Sequence, residues 1–169
     1  MICPSCGTEN IKGSDECANC GAALYGLDLP GAPQGAKAPA FLQQPITGLP
    51  KRAVVRVGVS DPVALAVRQM QQQQINCVVV MDGNKLVGLL TSWDVVNNVA
   101  GPAEDLIAVT CGQLMTANPV VLHDEDTIAM ALQMMAAGGY GHVPVTKDEE
   151  PIGILVPADV FRQISPHLV

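Results

Sequence analysis

The stretch Gly88-Leu89-Leu90-Thr91-Ser92-Trp93-Asp94 returns 65 residues later as Gly153-Ile154-Leu155-Val156-Pro157-Ala158-Asp159. Outward from it at the same offset, Val55 matches Val120, Asp61 matches Asp126, Ala66 matches Ala131, Met70 matches Met135, and Val78 and Val80 match Val143 and Val145. Other pairs are conservative, such as Val63 with Ile128 and Val87 with Ile152. Register kept without a gap over more than fifty positions marks two copies of one supersecondary unit, residues 46–100 and 111–165.

Each copy reads as β-α-β-β-α, which predicts an α+β fold. In the first, a strand over Val54 to Val57 leads to Ser60-Asp61-Pro62, where Ser or Asp can cap a helix and Pro suits its first turn. The helix carries Val63, Ala66, Val67 and Met70 three and four residues apart, on one face. Cys77 to Met81 is an apolar run of buried-strand length, and Asp82-Gly83-Asn84 is a hairpin signal. Leu86 to Thr91 forms the returning strand and Ser92 to Val99 a second helix. The second copy predicts a strand over Pro119 to Leu122 and a helix from about Thr127 that stops at Gly138-Gly139. Strands His142 to Thr146 and Ile152 to Val156 and a helix over Pro157 to Ile164 complete it. Neither copy can cover both faces of its sheet, so the two are expected to pack together.

The two heptapeptides look like the Gly-apolar-x-Thr/Ser-x-x-Asp signature of CBS domains, and His142-Val143-Pro144-Val145 is similar to that family's apolar-Pro strand. Residues 46–165 thus resemble a CBS-domain pair, or Bateman module. The resemblance implies ligand binding in clefts between the copies, with adenine-containing molecules as the usual class. It implies Asp94 and Asp159 as ribose-binding residues, Thr91 on the phosphate side, and a homodimer through the motif-bearing helices. The chemistry agrees, because a carboxylate can accept from both hydroxyls of a ribose diol, and a Thr hydroxyl at a helix start suits a phosphate or ribose oxygen. A second reading stays open: Thr91 and Asp94, three residues apart, also make a capping box, worth on the order of 1 kcal/mol without any ligand. Val156 replaces the hydroxyl in the second copy, which puts phosphate contact there in doubt. Lys51, Arg52, Arg68, His123 and Arg162 are the cations available to a phosphate, and His142 is either a cleft residue or a hydrogen-bonded structural one. The Met-rich face of Met130, Met134 and Met135 fits a dimer contact or ordinary core.

Upstream, Cys3-Pro4-Ser5-Cys6-Gly7 and Cys17-Ala18-Asn19-Cys20-Gly21 are two Cys-x-x-Cys-Gly turns. A glycine after each pair allows a tight turn whose backbone N–H groups can point at thiolate sulfurs. Four thiolates make a closed structural metal site, with no open position for a substrate. The segment resembles a short zinc ribbon over residues 1–23. Zinc is favoured over rubredoxin-like iron because the segment lacks the aromatic packing expected around an electron-transfer iron. Residues 24–45, rich in Gly, Ala, Pro and Gln, read as a linker. Cys77 and Cys111 lie in apolar runs and read as small buried hydrophobes.

Composition sets the bounds. Hydrophobic residues make up 49% and aromatics 3%, so the core is aliphatic. A net charge of −7 leaves no general basic surface for nucleic acid. No apolar run reaches the roughly 18 residues of a membrane span, and the start of the chain lacks a secretion pattern, which predicts a cytoplasmic protein. No nucleophile–base pair, Walker loop or Rossmann fingerprint is present, so the expected function is non-enzymatic. The leading expectation is a regulatory sensor of AMP, ADP, ATP or S-adenosylmethionine whose ribbon contacts a partner. The alternative is a metal-thiolate interaction or redox adaptor using the repeats as a dimerisation scaffold.

Overall fold

The repeat folds as predicted in its order of elements. The computed structural model describes residues 2–3, 6–11, 13–22, 24, 39–99 and 108–167. The first copy comprises β1 (Arg56–Gly58), α1 (Val63–Gln73), β2 (Cys77–Asp82), β3 (Lys85–Thr91) and α2 (Ser92–Val99). Two short elements follow, α3 (Cys111–Leu114) and β4 (Thr116–Ala117). The second copy comprises β5 (Leu122–His123), α4 (Ile128–Gly138), β6 (Val143–Lys147), β7 (Glu150–Leu155) and α5 (Pro157–Ile164). One sheet has the order β1-β2-β3-β4 and the other β5-β6-β7. β1 runs parallel to β2, while β2 and β3 form the antiparallel hairpin turned by Gly83 at φ +57°. Of the predicted linker, residues 25–38 lie outside the described residues, and Ala40–Gln43 forms a 3-10 turn.

The chain divides into two compact units whose boundaries do not follow the repeats. One is made of Met1–Pro50, Leu122–Gly141 and Leu155–Val169, the other of Lys51–Val121 and His142–Ile154. The cause is an exchange of leader segments. Ile46 N donates to Asp126 O at 2.8 Å and Ile128 N to Gln44 O at 3.0 Å. The same bonds recur at the repeat offset in the other unit, where Cys111 N donates to Asp61 O at 2.8 Å and Val63 N to Val109 O at 2.9 Å. Each copy's leader is therefore tied to the helix start of the other copy. The signature glycines serve this exchange: a Cβ on Gly88 would collide with the Met115 side chain, and one on Gly153 would lie 2.5 Å from Lys51 Cβ.

Local chemistry explains most boundaries. Asp61 does not cap α1; its carboxylate accepts from Gly58 N at 2.7 Å and closes the turn before the helix. Asp126 makes the equivalent bond to His123 N at 2.7 Å. Thr127 caps α4 by accepting from Met130 N, and Gly139 ends it at φ +68°. β5 begins at Leu122 and not at Pro119, a residue without a ladder donor. In the Lys51–Val121 unit, Val57, Val63, Ala66, Met70, Val78, Val80, Leu90 and Cys111 form one buried cluster. Full burial of the Val, Leu and Met side chains among them contributes roughly 1.5–3 kcal/mol apiece. In the other unit Cys3, Cys17, Ala22 and Leu24 cluster with Met130 against them. Leu24, assigned to the linker by composition, is thus part of the ribbon's packing. Met135 is buried and Met130 covers the ribbon cluster, so the ordinary-core reading holds for these two methionines.

Candidate functional site

The end of β3 and the start of α2 hold Thr91 and Asp94 as a capping box with an additional bond. Asp94 Oδ2 accepts from Thr91 N at 2.8 Å and from Thr91 Oγ1 at 2.6 Å, while Thr91 Oγ1 accepts from Asp94 N at 3.3 Å. The Thr91 hydroxyl proton is therefore committed to Asp94. Oδ2 is anchored, and Oδ1 takes no hydrogen bond from the described residues. Next to the pair, Ser92 N donates to Asn76 O at 2.9 Å, and the Asn76 side-chain oxygen lies 3.0 Å from His142 Nε2. Burial lowers the His142 pKa, the Arg52 guanidinium lowers it further, and Asp94 opposes both. Arg52 is held by paired backbone bonds with Ile154, at 2.9 and 3.0 Å. Asn76 thus ties the start of α2, which holds the Thr91–Asp94 pair, to His142 within one compact unit. Across the ladder from Thr91, burial and then Asp94 push the Cys77 thiol up to about 12.

The second motif differs. Val156 precedes α5 and offers only its carbonyl, which accepts from Asp159 N at 3.0 Å. Asp159 is 6% exposed, and Arg162 Nη1 lies 3.5 Å from its Oδ1. Asp94 is half-buried, so the two matched aspartates occupy unlike surroundings. Arg68 and His123 are exposed and lie in neither motif.

A cavity of about 650 Å³ opens elsewhere in the Lys51–Val121 unit, between the two hairpin turns. Its lining includes Arg56, Asp61, Asn84, Asp148 and Glu149, and neither Thr91 nor Asp94. Arg56 there is engaged by Glu150 at 3.1 Å. The cavity brings together none of the ligand-binding candidates singled out from the sequence.

The four ribbon cysteines converge. Their sulfurs all lie within 4.8 Å of one another, with Cys3 to Cys20 and Cys6 to Cys17 both at 3.6 Å. A tetrahedral thiolate site with bonds near 2.3 Å requires sulfurs roughly 3.8 Å apart, so the set fits a single metal ion. Gly7 and Gly21, at φ +74° and +70°, donate to Cys3 O and Cys17 O at 2.9 Å and close both turns. Asn10 donates to Cys17 Sγ and accepts from Ala18 N, bracing the second turn. Burial alone would raise the Cys6 thiol, but hydrogen bonds with Thr8, Cys20 and Asn19 bring it down to about 6. Backbone N–H groups of Cys20 and Asn19 lower Cys17, whereas burial pushes Cys20 up. Asn10 and Thr8 are bracing residues that the cysteine spacing did not disclose.

A family model for the CBS domain matches residues 46–101 and again 111–166. The chain belongs to the CBS-domain family. A zinc-ribbon domain model matches residues 2–24 of this CBS-domain protein. The CBS domain-containing protein CBSCBSPB3 of Arabidopsis thaliana is 35% identical over 92 residues, covering 54% of this chain and 16% of that protein. A homoserine O-acetyltransferase of Methanohalobium evestigatum is 31% identical over 115 residues, covering 67% of this chain and 22% of the enzyme. The chain therefore spans only a small part of either relative. The crystal structure of CBSX2 in complex with AMP superposes with a TM-score of 0.63 at 22% identity, over 73% of this chain and 97% of that one. The CBS domain pair of protein MJ0100, in complex with 5′-methylthioadenosine and S-adenosyl-L-methionine, gives 0.62 at 21% identity, over 73% and 97%. At those identities the likeness establishes the fold. Among the described residues no helix is long and apolar enough to cross a membrane.

Proposed function

We propose that this CBS-domain protein is a non-enzymatic regulatory sensor that binds an adenosyl ligand at the Thr91–Asp94 motif, with a zinc-loaded ribbon for contact with a partner. The observation that carries the reading is the half-buried Asp94 carboxylate, with Oδ2 anchored by Thr91 and Oδ1 left to accept from a ribose hydroxyl. The ligands named for the structural neighbours, AMP and S-adenosyl-L-methionine, support the adenosyl class. Thr91 acts as a positioning residue for Asp94, because its hydroxyl proton is already spent. Asp159, buried and beside Arg162 with no hydroxyl at Val156, is the lesser site, so one ligand per chain is the expected stoichiometry. The matched segment covers 22% of the acetyltransferase relative, and that activity is not carried over.

Zinc is the metal assigned to Cys3, Cys6, Cys17 and Cys20, since a closed four-thiolate site without aromatic neighbours in the ribbon suits a structural ion. Trp93 and Val96, both exposed and one turn apart on α2, are the surface assigned to a homodimer contact. A thermal-shift screen with AMP, ADP, ATP and S-adenosylmethionine tests the ligand reading. A ligand at 100 times its dissociation constant stabilises the fold by roughly 2.7 kcal/mol. The stabilisation should disappear in Asp94→Asn and persist in Asp159→Asn; no shift with any of the four compounds contradicts the proposal.

A further inference from the structure

We infer that Asn10 is a positioning residue of the ribbon's metal site: it ties the two cysteine turns together and keeps Cys17 the most firmly held ligand. Asn10 has this role only if the four cysteines hold a metal ion, the reading given above. The two turns are copies of one another at an offset of 14, in which Cys3 matches Cys17, Cys6 matches Cys20 and Gly7 matches Gly21. Their backbones agree, since Cys3 N donates to Thr8 O and Cys17 N to Ala22 O, both at 2.8 Å. The copies part at Asn10, whose counterpart is Leu24. Leu24 is fully buried in the apolar cluster that Met130 covers. Asn10 is buried too, at 9% exposed, and a buried amide is costly unless it is hydrogen-bonded.

Its hydrogen bonds go to both turns. Nδ2 donates to Thr8 O at 2.9 Å, beside the first turn, and to Cys17 Sγ at 3.4 Å in the second, while Oδ1 accepts from Ala18 N at 2.8 Å. One side chain therefore fixes the spacing between two pairs of ligands. The bond to sulfur does more. A thiolate on a metal is a stronger acceptor than a thiol, so the Asn10 amide favours the loaded site over the empty one. Cys17 is 3% exposed, which leaves that donor without a substitute from solvent. Cys6 is the opposite case: its sulfur lies 3.2 Å from Thr8 Oγ1 but is exposed, where water can take over. Loss of the Asn10 donor should weaken metal retention far more than loss of the Thr8 hydroxyl.

The test loads the full chain with zinc, with cobalt(II) and with an NMR-active cadmium isotope. In the wild type a scalar coupling should pass from cadmium through Cys17 Sγ to an Asn10 side-chain proton. This coupling is read without any substitution, so it decides even where a variant ribbon fails to fold. Asn10→Asp keeps the acceptor for Ala18 N and loses the N–H donor, and Asn10→Leu copies Leu24. Both should hold zinc about 10–100-fold more weakly against a chromophoric chelator, and both should move the thiolate-to-cobalt charge-transfer band to lower energy. Thr8→Val should change either readout far less. Absence of the coupling, or wild-type zinc affinity in both variants, overturns the inference and leaves the metal site standing. Weakened affinity with an unmoved cobalt band also overturns it, because Asn10 would then only brace the fold. A wild-type chain whose four cysteines bind no metal overturns both readings.

Discussion

At the residue scale, the repeated signature combines three separate physical demands. Gly88 and Gly153 leave room for the leader segment of the other copy, Thr91 orients Asp94, and the aspartate closes the N-terminus of the helix behind it. Gly153→Ala should cost about 1–3 kcal/mol in a urea titration, because its Cβ meets Lys51 Cβ, which lies too close to the backbone to swing away. Gly88→Ala should cost less, since the flexible Met115 side chain is what it meets. His142 predicts a pH dependence. Its folded-state pKa is lowered by burial and Arg52, so its contribution to stability is present above the ordinary histidine value near 6.5 and is lost as pH falls through the lowered one. His142→Gln should flatten the slope of stability against pH below about 6.5; an unchanged slope would place the shift elsewhere. The Thr91–Asp94 capping box was legible from residue type and spacing, whereas the His142–Asn76 bond was not, because it joins positions 66 apart and Asn76 lies in no motif.

At the element scale, the 3.6-residue and apolar-run patterns disclosed α1, β2, β3, α4, β6 and β7, since each buries a continuous face or run against the core. α3 and β4 escaped that reading. Their four and two residues are too short to show a period, although Thr110 and Gln113 form a capping box that marks the start of α3. The exchange of leaders was equally invisible, because backbone bonds such as Ile46 N to Asp126 O carry no side-chain signature. The β6–β7 turn supplies a prediction of its own. Asp148 and Glu149 both sit at positive φ, +49° and +65°, where a hairpin turn favours Asn-Gly. Glu149→Gly should stabilise the protein by about 0.5–1 kcal/mol, read as a higher denaturation midpoint. A lower midpoint would mean that the Glu149 side chain makes a contribution the backbone argument omits.

At the scale of the whole molecule, a four-cysteine ribbon and a CBS pair are joined in one chain, and a metal bound to the ribbon should control only part of it. Chelation should expose Cys3, Cys6, Cys17 and Cys20 to a thiol reagent while Cys77 and Cys111, held at about 12 and about 11 by burial, stay unreactive until unfolding. Thiol counting by mass spectrometry checks this, and labelling of Cys77 in the chelated native protein would contradict it. Metal loss should also loosen the packing of Leu24 and Met130 around the ribbon. The most direct test of the central claim is a calorimetric titration of AMP into the wild-type chain and into Asp94→Asn. A saturable transition at one ligand per chain, weakened at least about tenfold by Asp94→Asn, is the predicted result; AMP affinity unchanged in the variant, or no binding to the wild type, would contradict it.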